Sequence, residues 1–276
     1  MKKWIILSIC LLLFMTFGRT FIINKMAFFP EKTNGVLSAD QLPEGVIEQE
    51  IPTLDGLKIS SLYIKNASSK DLVIYFHGNA GNIYSRIDDL KVLSSLGVNV
   101  LGVSYRGYGK SQGTPAEKGI YLDGKSALQF AHKTLGFSDK YIFIMGRSIG
   151  TTVAINTAMN QNIAGVILVS PLTNGKEMAK LGPLKWLSFL TGEIFNNIEK
   201  ANQIKAPTLV IHGTADPVIP FSMGEEIFNK ITTQKSFLKL TNAGHNNLSS
   251  PQYASVYWGA IATFLKENDT KTNPEK

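Results

Sequence analysis

The sequence contains very little cysteine and few histidines. Cys10 is the single cysteine among the 276 residues, so no intrachain disulfide can form and cysteine usage does not report the redox compartment. The histidines, at positions 77, 132, 212 and 245, are dispersed along the chain. One cysteine and four scattered histidines form no cluster with metal-ligand spacing, and the sequence therefore predicts no metal site.

The sequence also lacks a long block of one charge outside its amino terminus. Residues 1–32 carry +4 of the net charge of +7, and both signs are interspersed in the remainder. No basic stripe and no nucleic-acid motif is present, so we expect no nucleic-acid partner. Basic residues beside an apolar segment are typical of attraction to anionic lipid head groups.

The amino terminus contains the longest uncharged apolar run. Residues 4–17 hold no charge, and hydrophobicity resumes at residues 21–23 after Arg19, whose side chain can reach a membrane interface. We predict a signal anchor over residues 1–26 that crosses the membrane once, with a removed signal peptide as the alternative. Basic residues lie on both flanks and barely fix the orientation; we expect the domain on the extracytoplasmic side.

The remaining chain is long and apolar enough to form one globular domain. It is 44% hydrophobic and 18% charged overall, and we place the domain at 27–267 and a disordered polar tail at 268–276. Strands are predicted near 46–53, 57–64, 71–76, 98–103, 140–145, 164–169, 206–211 and 236–240. Helices are predicted near 83–96, 116–135, 148–160, 222–231 and 251–266. A hairpin followed by alternating strands and helices predicts an α/β fold, with a mostly parallel eight-stranded sheet covered on both faces.

One interval, about residues 172–204, interrupts this alternation. It is rich in apolar and aromatic residues, too much so for a solvated linker. We interpret it as a small helical lid whose apolar face helps to hold a substrate, with Trp186, Phe189 and Leu190 as candidate substrate contacts. A helix that merely packs on the core is the alternative.

A Gly-x-Ser-x-Gly motif at residues 146–150 directly follows a predicted buried strand. A serine flanked by glycines at a strand-to-helix junction is typical of an exposed nucleophile, because the sharp turn leaves no space for larger side chains. Ser148 is therefore the candidate nucleophile. The alternative is an ordinary helix N-cap, a position that serine favours.

A base and a residue that orients it follow later in the chain. Asp216 lies in a Gly- and Pro-rich turn after one predicted strand, and His245 follows the last predicted strand. Carboxyl ends of parallel strands meet at one edge of a sheet, so we expect Ser148, Asp216 and His245 to come together. Asp216 could instead cap its turn, and His245 could make a structural bond.

The loop at residues 77–82 ends another predicted strand and is rich in small residues. Such a loop lets a backbone N–H approach a carbonyl under attack. We assign the predicted oxyanion hole to the N–H groups of Asn79 and Ile149, with Ala80 as the alternative to Asn79. His77 and His212 each precede a glycine at a strand end and are expected to brace loops.

These segments, together with Tyr105-Arg106-Gly107-Tyr108-Gly109, resemble the α/β-hydrolase superfamily over roughly residues 70–265. The similarity is to its Bem46-like branch of serine hydrolases, which includes the α/β-hydrolase domain-containing proteins 13 and 17. The resemblance implies one domain with a small lid, often attached to a membrane, and in some members removal of fatty acyl groups from protein cysteines. Ser104 departs from the pattern, since relatives commonly have Asp before the Tyr-Arg-Gly-Tyr-Gly run.

The motifs and the resemblance together predict a membrane-anchored serine hydrolase of ester or thioester bonds. Its substrates would be acylated small molecules, lipids or acyl-proteins, its chemistry requires no cofactor, and we expect a monomer. A serine peptidase on the same fold is the enzymatic alternative. A non-catalytic membrane-bound binding protein is the alternative outside enzymes.

Overall fold

The computed structural model describes residues 18–33, 41–183 and 185–269. Its strands are β1 (Phe29–Pro30), β2 (Val46–Pro52), β3 (Lys58–Ile64), β4 (Leu72–Phe76), β5 (Ala80–Gly81), β6 (Asn99–Val103), β7 (Ile142–Arg147), β8 (Gly165–Val169), β9 (Thr208–Gly213) and β10 (Lys235–Leu240). Its α-helices are α1 (Arg19–Ala27), α2 (Ile87–Ser95), α3 (Glu117–Lys133), α4 (Gly150–Ala158), α5 (Gly175–Lys180), α6 (Asn197–Lys200), α7 (Phe221–Lys230) and α8 (Ala254–Glu267). Short 3-10 helices cover Tyr84–Arg86, Asp139–Tyr141, Lys185–Thr191 and Ala201–Gln203.

Eight strands form the central sheet in the order β10-β9-β8-β7-β4-β6-β3-β2. Only β3 runs against its neighbours: it pairs antiparallel with β2 and β6, whereas the other pairs are parallel. The register aligns Phe76 with Gly146, Arg147 with Val169, and Leu240 with Gly213. The carboxyl ends of the parallel strands therefore lie at one edge, where the loops that follow them meet.

Helices cover both faces of the sheet because the strands are apolar on both sides. On one face, Ile74 and Phe76 share a core with Ile120 of α3, Val153 of α4 and Ile227 of α7. On the other face, the core joins β4 to α2 and α8 through Val73, Tyr75, Leu90, Leu93 and Ile261. Continuous apolar runs in the sequence are the expected signature of such doubly covered parallel strands.

The predicted eight-stranded α/β sheet is confirmed, with each strand end within two residues of its predicted position. The predicted hairpin is the β2–β3 pair, which is antiparallel from Val46 with Ile64 to Pro52 with Lys58. A separate two-stranded sheet of β1 and β5 was not predicted, because two residues are too few for a periodic pattern.

The predicted anchor lies mostly outside the described residues, since only residues 18–26 of its range are described. Within residues 18–33, 41–183 and 185–269, no helix combines the length and apolarity that a membrane span requires. At the other terminus, Asn268 of the predicted tail is buried, and its side-chain N–H donates to the Phe264 carbonyl over 2.9 Å. The packed part of the chain thus extends to that residue.

The interval at 172–204 contains α5, α6 and two 3-10 helices, and no strand among its described residues. The side chain of Asn174 caps α5 by accepting from the Glu177 N–H over 2.8 Å. Phe195, at the end of this interval, packs edge-to-face on Phe28 with ring centroids 5.8 Å apart.

The buried guanidinium of Arg106 connects its own loop to helix α3 and to the β2–β3 turn, near the carboxyl edge of the sheet. Arg106 donates to Asp123 of α3 over 2.8 and 2.9 Å, and to Asp55 in the β2–β3 turn over 2.8 and 3.0 Å. The Asp123 side chain is fully buried, whereas that of Asp55 is 38% exposed. Hydrogen bonds from Arg106 lower the pKa of Asp55 to about 2.

We predict that Arg106→Met destabilises the fold by about 3–5 kcal/mol, because it leaves the Asp123 carboxylate buried without its ion-pair partner. Urea denaturation would measure this loss. The matched control is Lys58→Met, which removes an exposed ion pair with Glu50 and should cost at most about 1 kcal/mol. Equal losses in the two variants would contradict a structural role for the buried pair.

Candidate active site

Ser148 lies in the turn between β7 and α4, at the carboxyl edge of the sheet. Its φ of +54° is in the left-handed region, which residues other than glycine rarely adopt. Its backbone N–H donates to the Val169 carbonyl over 2.8 Å, which ties the turn to the end of β8. Such strained positions persist where the surroundings fix them, and they concentrate at functional sites.

The glycines on either side of Ser148 are required by close backbone packing. A Cβ atom added at Gly150 would lie 2.2 Å from the Phe76 carbonyl oxygen, and one added at Gly146 would lie 2.4 Å from the Gly150 carbonyl oxygen. Both distances are far shorter than van der Waals contact, so neither position accepts a side chain. The structure therefore agrees with the steric prediction that the turn at Ser148 leaves no space for side chains at positions 146 and 150.

Asp216 lies in the loop after β9 with its side chain fully buried. One carboxylate oxygen, Oδ1, accepts the backbone N–H groups of Val218 and Ile219 over 2.8 and 2.9 Å. The other, Oδ2, lies 2.7 Å from His245 Nδ1 and 3.3 Å from His212 Nε2. Burial alone would raise the pKa of Asp216, but these hydrogen bonds hold the pKa well below its ordinary value. Asp216 is therefore ionised.

His245 lies in the loop after β10 and connects Asp216 to Ser148. Its Nδ1 donates to the Asp216 carboxylate, and its Nε2 lies 3.0 Å from Ser148 Oγ. The side chain of Arg147 donates to the His245 carbonyl over 3.0 Å and so holds this loop. Because Nδ1 carries the proton that faces the carboxylate, Nε2 is left to accept the proton of the Ser148 hydroxyl.

The structure thus brings together the three side chains that the sequence predicts. Each follows a different strand, and the aligned carboxyl ends of β7, β9 and β10 explain why the three loops meet. A hydroxyl, an imidazole and a buried carboxylate in this order can transfer a proton away from the hydroxyl oxygen. That transfer would make the oxygen nucleophilic.

The loop at 77–82 passes directly beside this group. A Cβ atom added at Gly78 would lie 3.6 Å from Ser148 Cβ. The Asn79 side chain is already engaged, since its Oδ1 accepts the Phe29 N–H and the Tyr108 hydroxyl, each over 3.0 Å. Asn79 and Ile149, the residues predicted to supply oxyanion donors, therefore lie on the two segments that flank Ser148.

Two tyrosines of the loop at 104–111 hold the loop at 77–82 by hydrogen bonds and ring packing. The Tyr105 hydroxyl donates to the His77 carbonyl over 2.8 Å, and the Tyr108 hydroxyl donates to Asn79 Oδ1. Both rings are buried and pack against the His77 ring, with centroids 4.5 and 5.2 Å away. The Tyr-Arg-Gly-Tyr-Gly run therefore shapes the neighbourhood of the predicted oxyanion hole.

The amino-terminal segment at 28–33 crosses the same loop. β1 pairs with β5 in parallel, with Phe29 opposite Ala80, the alternative oxyanion residue. The Asn82 side-chain amide donates to the Glu31 carbonyl over 3.3 Å and to the Thr33 hydroxyl over 3.2 Å. The sequence contained no usable signal for these contacts, because they join residues about fifty positions apart through a two-residue strand.

His77 and His212 brace loops, as predicted. His77 Nδ1 donates to the Gly78 carbonyl over 2.6 Å, and His212 Nε2 donates to the Ile219 carbonyl over 3.0 Å. The additional contact of His212 with Asp216 was missed. Its signal in the sequence is only the spacing of four residues across a strand end.

The three candidate substrate contacts lie in the 3-10 helix Lys185–Thr191. Trp186 and Phe189 are mostly exposed, whereas Leu190 is half-buried. In the part of the chain that the structure describes, no group of three or more His, Cys, Asp or Glu residues could hold a metal ion.

The chain is similar to several known proteins. A family model described as "Serine aminopeptidase, S33" matches residues 67–200. The α/β-hydrolase domain-containing protein aho-3 of Caenorhabditis elegans is 31% identical over 264 aligned positions, which cover 88% of this chain and 77% of that protein. The human α/β-hydrolase domain-containing protein 17B is 33% identical over 198 positions, covering 71% of this chain and 68% of that protein.

A solved structure extends the comparison to the fold. An esterase of Pyrococcus furiosus superposes with a TM-score of 0.73 at 24% identity, covering 86% of this chain and 96% of the esterase. This similarity concerns the arrangement of the sheet and its helices.

We predict that His77 stays neutral from pH 8 down to about 5, because burial lowers its pKa to about 4. Unfolded chains bind a proton at a histidine below about pH 6.5, so the contribution of His77 to stability is lost as the pH falls from about 6.5 towards 4, by ~3 kcal/mol. An NMR titration of the histidine ring protons would measure this. A His77 midpoint near 6.5 would contradict the prediction.

Proposed function

The chain belongs to the α/β-hydrolase superfamily, and from that premise we propose that it is a membrane-anchored serine hydrolase of carboxylic ester or thioester bonds. The observation that carries the proposal is the hydrogen-bonded series Ser148–His245–Asp216, with distances of 3.0 and 2.7 Å. The fold shared with the Pyrococcus esterase supports the same class of reaction.

In the proposed reaction, Ser148 Oγ attacks the acyl carbonyl carbon while its proton passes to His245 Nε2. Asp216 holds the imidazole in the required tautomer and stabilises the imidazolium that forms. Collapse of the tetrahedral intermediate breaks the bond to the leaving group, and His245 returns the proton to the departing alcohol or thiol. The product of this half is an acyl group esterified to Ser148.

Water completes the second half of the reaction. His245 takes a proton from the water, the hydroxide attacks the acyl-Ser148 carbonyl, and the proton returns to Ser148 Oγ as the acid leaves. The backbone N–H groups of Asn79 and Ile149 stabilise the oxyanion in both halves, each by about 3 kcal/mol. The hydrogen bonds at Asn79 Oδ1 support this assignment because they fix the loop beside Ser148.

Substrate selection is assigned to the segment at 172–204. This segment acts as a small lid, and the half-buried Leu190 contacts the acyl chain beneath it. Residues 1–26 anchor the enzyme in the membrane, with the domain on the extracytoplasmic side and the acyl group supplied by a small ester, a lipid or an acyl-protein. The reaction as written uses only residues of this chain and water.

A serine peptidase is the second candidate, and the description of the matching family model favours it. The same triad chemistry would then expel an amine in place of an alcohol or thiol. A non-catalytic binding protein is the third candidate. A binding protein would have the same fold but would not require the hydrogen bonds that connect Ser148, His245 and Asp216.

We predict that Ser148→Ala and His245→Ala abolish labelling by a fluorophosphonate probe and lower kcat on p-nitrophenyl esters by about four orders of magnitude or more. The Ser148 side chain is not part of either hydrophobic core cluster, so the urea midpoint of the Ser148→Ala variant should change little. Full labelling of the Ser148→Ala variant would contradict the assignment of the nucleophile.

The same preparation separates the three candidates. Wild-type protein should hydrolyse p-nitrophenyl esters and acyl thioesters faster than aminoacyl p-nitroanilides. Faster cleavage of the anilides would favour the peptidase, and folded wild-type protein that is neither labelled nor active would favour the binding protein.

We predict that Tyr108→Phe lowers kcat roughly tenfold with little change in KM, because the loop at 77–82 loses a hydrogen bond that positions an oxyanion donor. The matched control is Tyr63→Phe, which removes a comparable tyrosine-to-asparagine bond, to Asn99 Oδ1 over 3.2 Å, at the opposite edge of the sheet. Steady-state kinetics on a soluble ester would compare the variants. Equal kcat losses would indicate a general effect of removing a buried hydroxyl.

A further inference from the structure

Large apolar side chains are exposed together on two segments of the chain. The first is residues 21–29, with exposed Phe21, Ile22, Met26 and Phe29; the second is residues 181–189, with exposed Leu181, Trp186 and Phe189. The two segments are adjacent, since α1 contacts the 3-10 helix Lys185–Thr191, and that helix also packs on α5. We call these seven side chains the apolar face.

The aromatic members of this face are strongly exposed: Trp186 by 69%, Phe189 by 66%, Phe21 by 64% and Phe29 by 60%. Other exposed apolar residues of the described chain, such as Val92 and Val256, lie singly on separate elements. Scattered exposure is ordinary, whereas several large apolar side chains exposed on touching elements are typical of an interaction surface.

The orientation of the amino-terminal part is fixed by its neighbours. Phe28 is buried against Phe195, so the next residue, Phe29, faces outward. On α1, Phe21, Ile22 and Met26 are spaced as one side of a helix, and that side is in solvent. Their exposure therefore follows from packing on the opposite side.

The charges around the apolar face are mostly positive. Residues 21–32 and 175–191 together contain five lysines and two glutamates. Lys25 lies 5.9 Å from the centre of the Phe21 ring. Lys185 is exposed on the second segment, and Lys176 and Lys180 are exposed on the preceding helix α5, where Lys180 pairs with Glu177. Lysine is depleted in the cores of protein interfaces, whereas lysine beside tryptophan is typical of the water–lipid boundary.

We propose that the apolar face docks on an anionic lipid bilayer, with Trp186 and Phe189 inserted at the level of the head groups. The uncharged run at 4–17 precedes α1 in the sequence, and as the proposed anchor it would bring α1 to the membrane. Trp186 and Phe189 are then membrane contacts rather than contacts to the bound acyl chain.

Docking in this orientation brings the candidate active site to the bilayer surface. Phe29 of the apolar face pairs with Ala80, and its N–H bonds to Asn79 in the loop beside Ser148. On the basis of the proposed hydrolase function, the substrates are acyl esters or thioesters whose acyl chain resides in the bilayer.

The depth of Trp186 tests the docking directly. The full chain carrying Trp4→Phe and Trp258→Phe keeps Trp186 as its single tryptophan, and it is reconstituted in phosphatidylcholine–phosphatidylglycerol vesicles with brominated acyl chains. The control carries Trp4→Phe and Trp186→Phe and keeps Trp258, which packs on Tyr257 in the core. Trp186 should lose about half of its emission or more, and Trp258 should be unaffected.

Two results would overturn the docking proposal. Trp186 quenched by aqueous iodide, and not by brominated lipid, would place the apolar face in water. Trp186 protected from both quenchers would show that protein covers the face, either residues 4–17 of this chain or a second copy.

Kinetics provide a second test, in the otherwise unchanged full chain. Trp186→Ser with Phe189→Ser should lower the rate on a vesicle-borne long-chain ester about tenfold more than it lowers the rate on the same ester dispersed in detergent micelles without vesicles. The control, Val92→Ser with Val256→Ser, removes two exposed apolar side chains outside the face and should change neither rate.

The labelling, rate and quenching results test membrane docking and hydrolase activity separately. Normal labelling of Ser148 with an unchanged vesicle rate in the Trp186→Ser, Phe189→Ser variant would overturn the docking and leave the hydrolase intact. Absence of labelling and of soluble-ester cleavage in wild type would overturn the hydrolase, while the quenching of Trp186 would still decide the docking.

Discussion

The close approach of backbone to backbone around Ser148 is the constraint on which the rest of the site depends. Gly150 lies so near the Phe76 and His77 carbonyl oxygens that a single added carbon would overlap both. This contact locks the start of α4 against the end of β4, and it holds Ser148 at a positive φ. The turn that carries Ser148 is consequently packed directly against the start of the loop at 77–82.

Buried polar groups then position the other side chains against this turn. Asp216 is satisfied from two sides, by backbone N–H groups of its own loop and by the imidazoles of His212 and His245. The full set of hydrogen bonds explains how a carboxylate stays ionised in a buried position. Arg147, from the same turn as Ser148, holds the carbonyl of His245 and so links the nucleophile turn to the loop that carries the base.

The amino-terminal segment joins the proposed membrane surface to the proposed chemistry. Residues 28–33 are hydrogen-bonded to the loop at 77–82, while α1 contacts the 3-10 helix Lys185–Thr191. A short stretch of chain thus lies between an exposed aromatic surface and the candidate oxyanion donors. An enzyme built in this way would hold its catalytic loop at a fixed place relative to the lipid from which its substrate comes.

The sequence alone determined the alternation of strands and helices, because parallel strands that are buried on both faces occur in the sequence as apolar runs bounded by turn residues. It also predicted that Ser148, Asp216 and His245 meet, since each residue follows such a run and parallel strands end at one edge. Tertiary structure alone decided the contacts made by Phe29, Tyr108 and His212, together with the gathering of Phe21, Trp186 and Phe189 on one surface. The hydrogen bonds link residues that are far apart in the sequence, and the exposed surface combines side chains from two distant segments. Local periodicity in the sequence predicts neither.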